Sequence, residues 1–569
     1  MDGTGACLVQ RDFTVLLEKE HPGFEAARRE LARFAELVKS PASFHTYRLT
    51  PLSMWNAAAQ GMKAAEILDS IRDLSRSKVP DQVLKELTIW LSRYGKLRMS
   101  LSAEQPGVLV LESEYPEFID EIMHLEPIQR LALERTAATQ LSIPVRSRGI
   151  IKQDLTRLGY PVQDEAGYHS GQHLFFQLRD QLAAGEQFSL RPYQHESVSA
   201  IAGSEPGIGG GSGVLVLPCG AGKTVIGLAA MAKLQCETLI LTSNVTSVRQ
   251  WIGELRSKST LSELEIGEYS GDRKEVRPVT VSTYQILSHR TKKEDGFKHM
   301  RLFNERDWGL IIYDEVHLLP APVFRVTAEI QATRRLGLTA TLVREDGCEK
   351  DVFSLIGPKL YEMPWRDLER EGWIAQVKCW EIRVPMSDSL RMKYSLAEGR
   401  QKFRLAAENP GKLEKVKELI AAHPGRQVLI IGQYLDQLRL LSDQLQAPLI
   451  TGDMPQQERT GLFTAFRSGS ISLLIVSKVA NFAVDLPDAS VGIQVSGSFG
   501  SRQEEAQRLG RLLRPKSGDN RAYFYTLVSD GSREEEFAMR RQLFLIEQGY
   551  EYLVIPTHDE GGGVRGAAQ

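Results

Sequence analysis

The chain has 569 residues, of which 25% are charged and 42% hydrophobic, with a formal net charge of −2 at pH 7. That length allows about three or four domains, and the balance of charge excludes a global field for nucleic acid, so such a partner would need local basic patches. No apolar run reaches the roughly 18–20 residues of a membrane helix, Asp2, Asp12 and Glu18 argue against a leader, and Cys7, Cys219, Cys236, Cys348 and Cys379 are scattered without a CxxC. The expectation is a cytoplasmic protein without a zinc site, an iron–sulfur cluster or a disulfide framework.

Cys7–Glu18 alternates as a strand does. Phe24, Ala27, Leu31, Phe34 and Leu37 share a helical face. Thr50-Pro51 is a helix start, a cap followed by proline at the first helical position. Further helical spacing at Ile67, Ile71 and Leu74, and at Val83, Leu87, Trp90, Leu91 and Tyr94, predicts a mainly helical domain over 1–100, with Trp55 and Trp90 in its core. Residues 101–185 read as a small α+β domain: strands at Val108–Leu111 and Leu141–Val145, helices at Phe118–Met123 and Ile150–Leu158. Arg146, Arg148, Lys152 and Arg157 there are either phosphate contacts or, as the plainer alternative, a solvated helix face.

Val214–Thr224 reads VLVLPCGAGKT, a buried-type strand, a glycine turn and Lys-Thr opening an apolar helix. That is the context a phosphate-binding loop requires. Gly220, Ala221 and Gly222 would bring backbone N–H groups around phosphate oxygens, at a helix N-terminus that favours anions. Lys223 would reach the β- and γ-phosphates of ATP, and the Thr224 hydroxyl would bind Mg²⁺. The strict pattern asks for glycine at position 217, which is leucine here. Upstream, Gln194 can read adenine through an amide that both donates and accepts.

Ser243–Arg249 and Val279–Tyr284, which includes Thr283, are rich in hydroxyls that can bond nucleic-acid phosphates or serve ordinary loops. Leu310–Tyr313 is an apolar strand followed by Asp314-Glu315-Val316-His317. Open α/β sheets bind ligands at the carboxyl ends of their strands. Asp314 would hold Mg²⁺, and Glu315 would orient and deprotonate the attacking water. Two adjacent acids at a buried strand end are costly without a cation. Thr339-Ala340-Thr341 lies behind them as a turn suited to sensing nucleotide state, and Arg344-Glu345-Asp346 follows.

A second parallel α/β lobe starts near residue 371, with strands at Val428–Ile431, Pro448–Ile450, Leu473–Val476, Gly492–Val495 and Ala522–Leu527. Arg391, Lys393, Arg400, Lys402 and Arg404 form a basic helical segment that lies along nucleic acid or is an exposed face. Asp485 sits on a loop that could reach the ribose. In Gln507-Arg508-Leu509-Gly510-Arg511, and on to Arg514, the arginines can stabilise a phosphoryl-transfer transition state. Thr557–Gln569 is glycine-rich and is expected to be disordered.

The ordered set GAGKT, DEVH, TAT and QRLGRLLR resembles a superfamily 2 helicase motor, and YDEVHLLPAPVFR, RLGLTATLVRED, IVSKVANFAVDLPDAS and RQLFLIEQGYEYLVI resemble the XPB family over roughly residues 186–556. HTYRLTPLSMWNA resembles the N-terminal domain of bacterial XPB-like proteins. The resemblance implies an α/β fold of two RecA-like parallel-sheet lobes, at 186–370 and 371–556. It implies ATP and Mg²⁺ as cofactors and catalytic roles for Lys223, Asp314, Glu315, Gln507, Arg511 and Arg514. Arg344–Asp346 matches the family's strand-separating RED motif, the basic segment falls at its DNA-gripping thumb, and residues 101–185 occupy the place of its damage-recognition domain. The implied activity is a 3′-to-5′ DNA helicase of nucleotide excision repair acting on single-stranded or forked DNA. Eukaryotic members of the family sit in transcription factor IIH, and archaeal ones pair with a nuclease. Two competing readings are a duplex translocase that remodels protein–DNA complexes and a DNA-binding scaffold without turnover. DEVH and QRLGR differ from the DEAD and HRxGR of the best-known RNA helicases.

Overall fold

A computed structural model describes residues 5–39, 43–131, 133–182, 185–203, 211–218, 220–290, 297–331, 333–340, 349–477, 489–497, 509, 520–548, 550 and 552–556. The described residues form two compact units, Met1–Leu217 with Gly222–Glu362, and Pro218–Ala221 with Met363–Gln569.

The first unit begins with a four-stranded antiparallel sheet, ordered β1-β2-β4-β3, from β1 (Cys7–Val9), β2 (Thr14–Glu18), β3 (Glu36–Lys39) and β4 (Phe44–Arg48). Cys7–Glu18 is thus a hairpin and not one strand. The polar tip turns back because the Asp12 carboxylate accepts the Thr14 N–H at 3.2 Å and Phe13 takes a left-handed φ of 67°. Helices dominate residues 51–93. Thr50 caps the helix Pro51–Ala59, its hydroxyl accepting the Ser53 N–H, as the Thr-Pro start predicts. Trp55 is buried and donates its indole N–H to the Trp90 carbonyl at 3.0 Å.

A five-stranded mixed sheet comes next, ordered β7-β8-β6-β5-β9, from β5 (Leu97–Leu101), β6 (Val108–Glu112), β7 (Glu134–Ala137), β8 (Gln140–Pro144) and β9 (Val162–Asp164). Its core joins Leu109, Leu111, Leu141 and Ile143 to Ile151 and Leu155 of the helix Arg148–Arg157. Arg148 and Lys152 of that helix depart from both readings, whereas Arg157 and the preceding Arg146 are exposed. Arg148 and Lys152 are buried and share Asp164, at 2.7 and 2.8 Å. Lys152 also donates to Gln331 Oε1 at 2.9 Å, and Arg157 makes two bonds to Asp351. Lys152 and Arg157 thereby fasten this sheet to residues around the next one, while Arg148 pairs within its own.

The third sheet of the unit has seven parallel strands, ordered β12-β13-β11-β14-β15-β10-β16: β10 (Ser212–Val216), β11 (Thr238–Thr242), β12 (Ile266–Tyr269), β13 (Val279–Thr283), β14 (Leu310–Asp314), β15 (Arg334–Thr339) and β16 (Lys359–Glu362). Val214, Leu239, Ile311 and Tyr313 are buried on one face, and Leu215, Ile240, Ile312 and Leu338 are buried as well. Burial on both faces is what an all-parallel sheet with helical crossovers demands. It also explains why these strands read as continuous apolar runs.

The second unit carries another seven-stranded parallel sheet, ordered β19-β20-β18-β21-β22-β17-β23: β17 (Gln376–Val384), β18 (Val428–Gly432), β19 (Leu449–Ile450), β20 (Leu473–Ser477), β21 (Val491–Gln494), β22 (Arg521–Ser529) and β23 (Tyr552–Ile555). The basic segment is two helices, Asp388–Leu396 and Gly399–Ala407, broken where Gly399 takes a φ of +50°. Among the described residues no helix is long and apolar enough to cross a membrane. Residues 557–569 lie outside the described residues.

Candidate active site

The all-parallel order places the carboxyl ends of β10, β15 and β14 side by side on one edge of the sheet. β10 leads to the glycine turn. Gly220 and Gly222 have φ of +85° and +77°, a region closed to most side chains. A Cβ on Gly222 would also stand 2.7 Å from the Gln194 amide nitrogen. Gly222 caps the helix Lys223–Leu234, so Lys223 and Thr224 are its first two residues, and Ala221 before them is buried. Gln194 is buried too, and its side-chain oxygen Oε1 accepts the Arg191 backbone N–H at 2.9 Å.

β14 ends on Asp314, and Glu315 follows with φ 52° and ψ 54°. A left-handed glutamate costs of order 1–3 kcal/mol, a strain typical of functional sites. The turn brings its carboxylate 3.3 Å from the Lys223 ammonium. His317 Nδ1 lies 3.5 Å from the other Glu315 oxygen and 2.7 Å from the Thr339 hydroxyl at the end of β15. Lysine, acid, histidine and threonine thus make one polar chain across three neighbouring strand ends.

Asp314 is held twice. The Trp251 indole N–H donates to its Oδ2 at 2.8 Å, and the Tyr284 hydroxyl donates to its carbonyl oxygen at 2.9 Å. Burial raises the Asp314 carboxyl above its usual range, and the charge of Glu315 raises it further, while the Trp251 bond and Lys223 pull it back. Two carboxylates crowded at a buried strand end create local demand for a cation. Hard oxygen donors, the Asp314 carboxylate and the Thr224 hydroxyl, suit Mg²⁺ held mainly by substrate phosphate and water. The left-handed glycines carry no side chain, as a backbone cradle for a phosphate chain requires. The residues present therefore fit both ATP and Mg²⁺.

Gln194, Gly222, Lys223, Thr224, Asp314, Glu315 and Thr339 come together in the first unit. Thr283 and Thr339 are buried, and the Thr283 hydroxyl accepts the Ile286 N–H at the start of the helix Tyr284–Leu287. In the second unit Arg391, Lys393 and Arg400 are exposed. Lys402 lies 4.9 Å from the ring centre of the buried Tyr394, and Arg404 is paired with Glu408 and Asp436. Thr341, Arg344, Glu345, Asp346, Asp485, Gln507, Arg508, Arg511 and Arg514 lie outside the described residues.

A family profile described as the ERCC3/RAD25/XPB C-terminal helicase matches residues 368–564. Profiles described as the type III restriction enzyme res subunit and the helicase conserved C-terminal domain match 187–344 and 7–137. The chain is 50% identical over 560 residues to a protein of Kineococcus radiotolerans named DNA 3′-5′ helicase XPB, covering 98% of each. It is 49% identical to a protein of the same name from Mycobacterium tuberculosis, again covering 98% of each. The chain belongs to the XPB family. It is an ATP-dependent helicase of that type, with two RecA-like lobes. XPB relatives extend to eukaryotes: a protein of Antonospora locustae named general transcription and DNA repair factor IIH helicase/translocase subunit XPB is 33% identical, over 96% of this chain and 81% of that one.

Sequence reasoning passes over Trp251, and takes Tyr284 only as the end of a hydroxyl-rich segment. A signal for the first is present in Gly227, in the interior of an otherwise apolar helix. Interior helical glycine is unfavourable and marks a close approach; here a Cβ would come within 2.5 Å of the Trp251 ring.

Proposed function

We propose that this XPB-family chain is a DNA helicase of 3′-to-5′ polarity that hydrolyses ATP with Mg²⁺ to open duplex DNA in nucleotide excision repair. The supporting observation is the contact of Lys223 with Glu315 at 3.3 Å beside a doubly held Asp314. The lysine that would meet the phosphates and the base that would activate water are already within one ion pair. Arriving phosphate oxygens would compete with Glu315 for Lys223, and the released carboxylate becomes free to accept a proton from water. Mg²⁺, held by Thr224 and Asp314, would neutralise charge developing on the phosphates. His317 and Thr339 tie the hydrolytic acid to the next strand end, a route by which the state of the nucleotide reaches the Thr339-Ala340 turn. Arg511 and Arg514 would add charge stabilisation. Exposed Arg391, Lys393 and Arg400 would track the DNA backbone. A nuclease or another repair protein is the expected kind of partner.

ATP turnover measured at fixed salt with single-stranded, forked or duplex DNA, or RNA, tests this. Strong stimulation by single-stranded or forked DNA, with little by RNA, is expected, followed by displacement of strands with 3′-to-5′ polarity. Stimulation by plain duplex alone would replace the helicase with a translocase, a word the Antonospora relative's name also carries.

A further inference from the structure

Two residues outside the loop and the DEVH run converge on Asp314. The helix Val245–Lys258 starts at Asn244, whose side chain accepts the Ser247 N–H at 2.9 Å. Trp251 turns inward from it, 1% exposed. Its ring packs against Gly227, where any Cβ would stand 2.5 Å from the ring carbon Cη2, and Ile312 of β14 lies 3.5 Å from the same Cβ position. The indole is thereby wedged between the phosphate-loop helix and the strand that ends in Asp314. Its N–H, a donor with no acceptor capacity, reaches Asp314 Oδ2 at 2.8 Å. From the other side, Tyr284 is buried at the end of β13 and bonds the Asp314 carbonyl at 2.9 Å. One contact sets the rotation of the carboxylate, and the other sets the peptide that carries it.

We infer that Trp251 and Tyr284 are positioning residues, which hold the Asp314 carboxylate and backbone in the orientation that receives Mg²⁺. The inference rests on the reading that Asp314 holds that cation. Groups that orient a ligand to a metal ordinarily govern its affinity: removing one costs about 10–100-fold in metal affinity or activity. Trp251→Phe keeps an aromatic ring against Gly227 and deletes only the donor. Tyr284→Phe deletes only the hydroxyl.

The test is equilibrium binding of a fluorescent ATP analogue to the full chain as free Mg²⁺ or Mn²⁺ is varied, without turnover, with thermal melting alongside. Both variants should need about 10-fold more metal for half-saturation, with analogue binding in excess chelator unchanged. Asp314→Asn is the reference. If it shifts the metal curve and neither Phe variant does, the inference is overturned while the reading of Asp314 stands. If Asp314→Asn leaves the curve in place, that reading fails and the inference fails with it. A purely structural role for Trp251 predicts lower melting with an unmoved metal curve. Should Trp251→Phe melt below the assay temperature, Tyr284→Phe decides alone, a shifted curve supporting the inference and an unmoved one overturning it.

Discussion

Numbered 1 to 7 in chain order, the strands of the two seven-stranded sheets are arranged identically, 3-4-2-5-6-1-7. A Gly-Lys pair opens a helix after the first strand in both, Gly222-Lys223 and Gly411-Lys412. The fates of the two lysines differ. Lys223 keeps 12% exposure and faces Glu315, whereas Lys412 keeps 2% and donates to Glu534 at 2.8 Å and to the Val495 carbonyl at 2.9 Å. Near the end of the fifth strand, the first sheet has Asp314 bonded by Trp251, and the second has Ser496, whose hydroxyl donates to Gln437 at 2.9 Å. Trp251 and Gln437 both lie on the helix after the second strand. One scaffold thus holds a strained, partly exposed charge pair in one copy and, in the other, a buried ion pair beside a neutral, internally bonded one. Fold alone does not confer the chemistry.

That contrast is sharpest in turnover. Glu315→Gln should lower the rate of ATP hydrolysis about 10²–10⁴-fold, the range for loss of a general base, with ATP binding retained in an equilibrium assay. Hydrolysis at the parent rate would remove Glu315 from its role. Lys412→Met probes the other copy and should act on stability. It leaves Glu534 largely buried without its cation, a loss of about 3–5 kcal/mol, read by denaturant unfolding. Turnover per folded molecule should be unchanged. A matching loss of turnover would show that the second lysine also serves phosphate, and the comparison would collapse.

The same contrast shows how far the sequence can be read. GAGKT and DEVH announce themselves because catalysis needs unusual residues at strand ends, Gly222 for a left-handed turn and paired acids at Asp314 and Glu315. Continuous apolar runs expose β10, β14, β18 and β20 because parallel strands are buried on both faces. β3 and β23 escape a sequence reading, since short edge strands such as Glu36–Lys39 and Tyr552–Ile555 carry few buried residues and little periodicity. The helix Arg148–Arg157 misleads for another reason. Its basic residues meet Asp164, Gln331 and Asp351, the last two 179 and 194 positions away from their partners, and no local pattern reports such pairing. Trp251 is hidden likewise: a tryptophan on a helix reads as core, and its one polar atom finds Asp314 63 positions downstream.

A buried lysine also gives the first unit a pH signature. Burial pushes Lys152 down to about 8 from 10.5, with Asp164 pulling it back up and Arg335 and Arg148 opposing. Gln331 completes its surroundings. Between those two values the folded state binds fewer protons than the unfolded one, so this group makes stability rise with pH across that window, by at most about 1.4 kcal/mol per pH unit. Below about 8 its cost is fully present. Lys152→Met should flatten that rise in urea titrations repeated at several pH values. Burial alone would raise Asp164, yet Lys152 and Arg148 hold it well below the usual carboxylate range. Its contribution is therefore present above the unfolded value and is lost as pH falls through the folded one.

The smallest effect belongs to Ser496→Ala. Its hydroxyl accepts the Gln433 N–H at 2.8 Å and donates to the Gln437 oxygen at 2.9 Å. Removing it strands a buried acceptor and a backbone donor, a penalty of about 1–3 kcal/mol, while the Gln437 amide nitrogen keeps its own bond to the Ala407 carbonyl. The measurement is a denaturant midpoint alongside ATP turnover. A lower midpoint with intact turnover keeps Ser496 as the uncharged counterpart of Asp314. A loss of turnover with an unmoved midpoint would mean that the second sheet's strand end works on the nucleotide as the first one does, through a neutral group where the first uses a charged one.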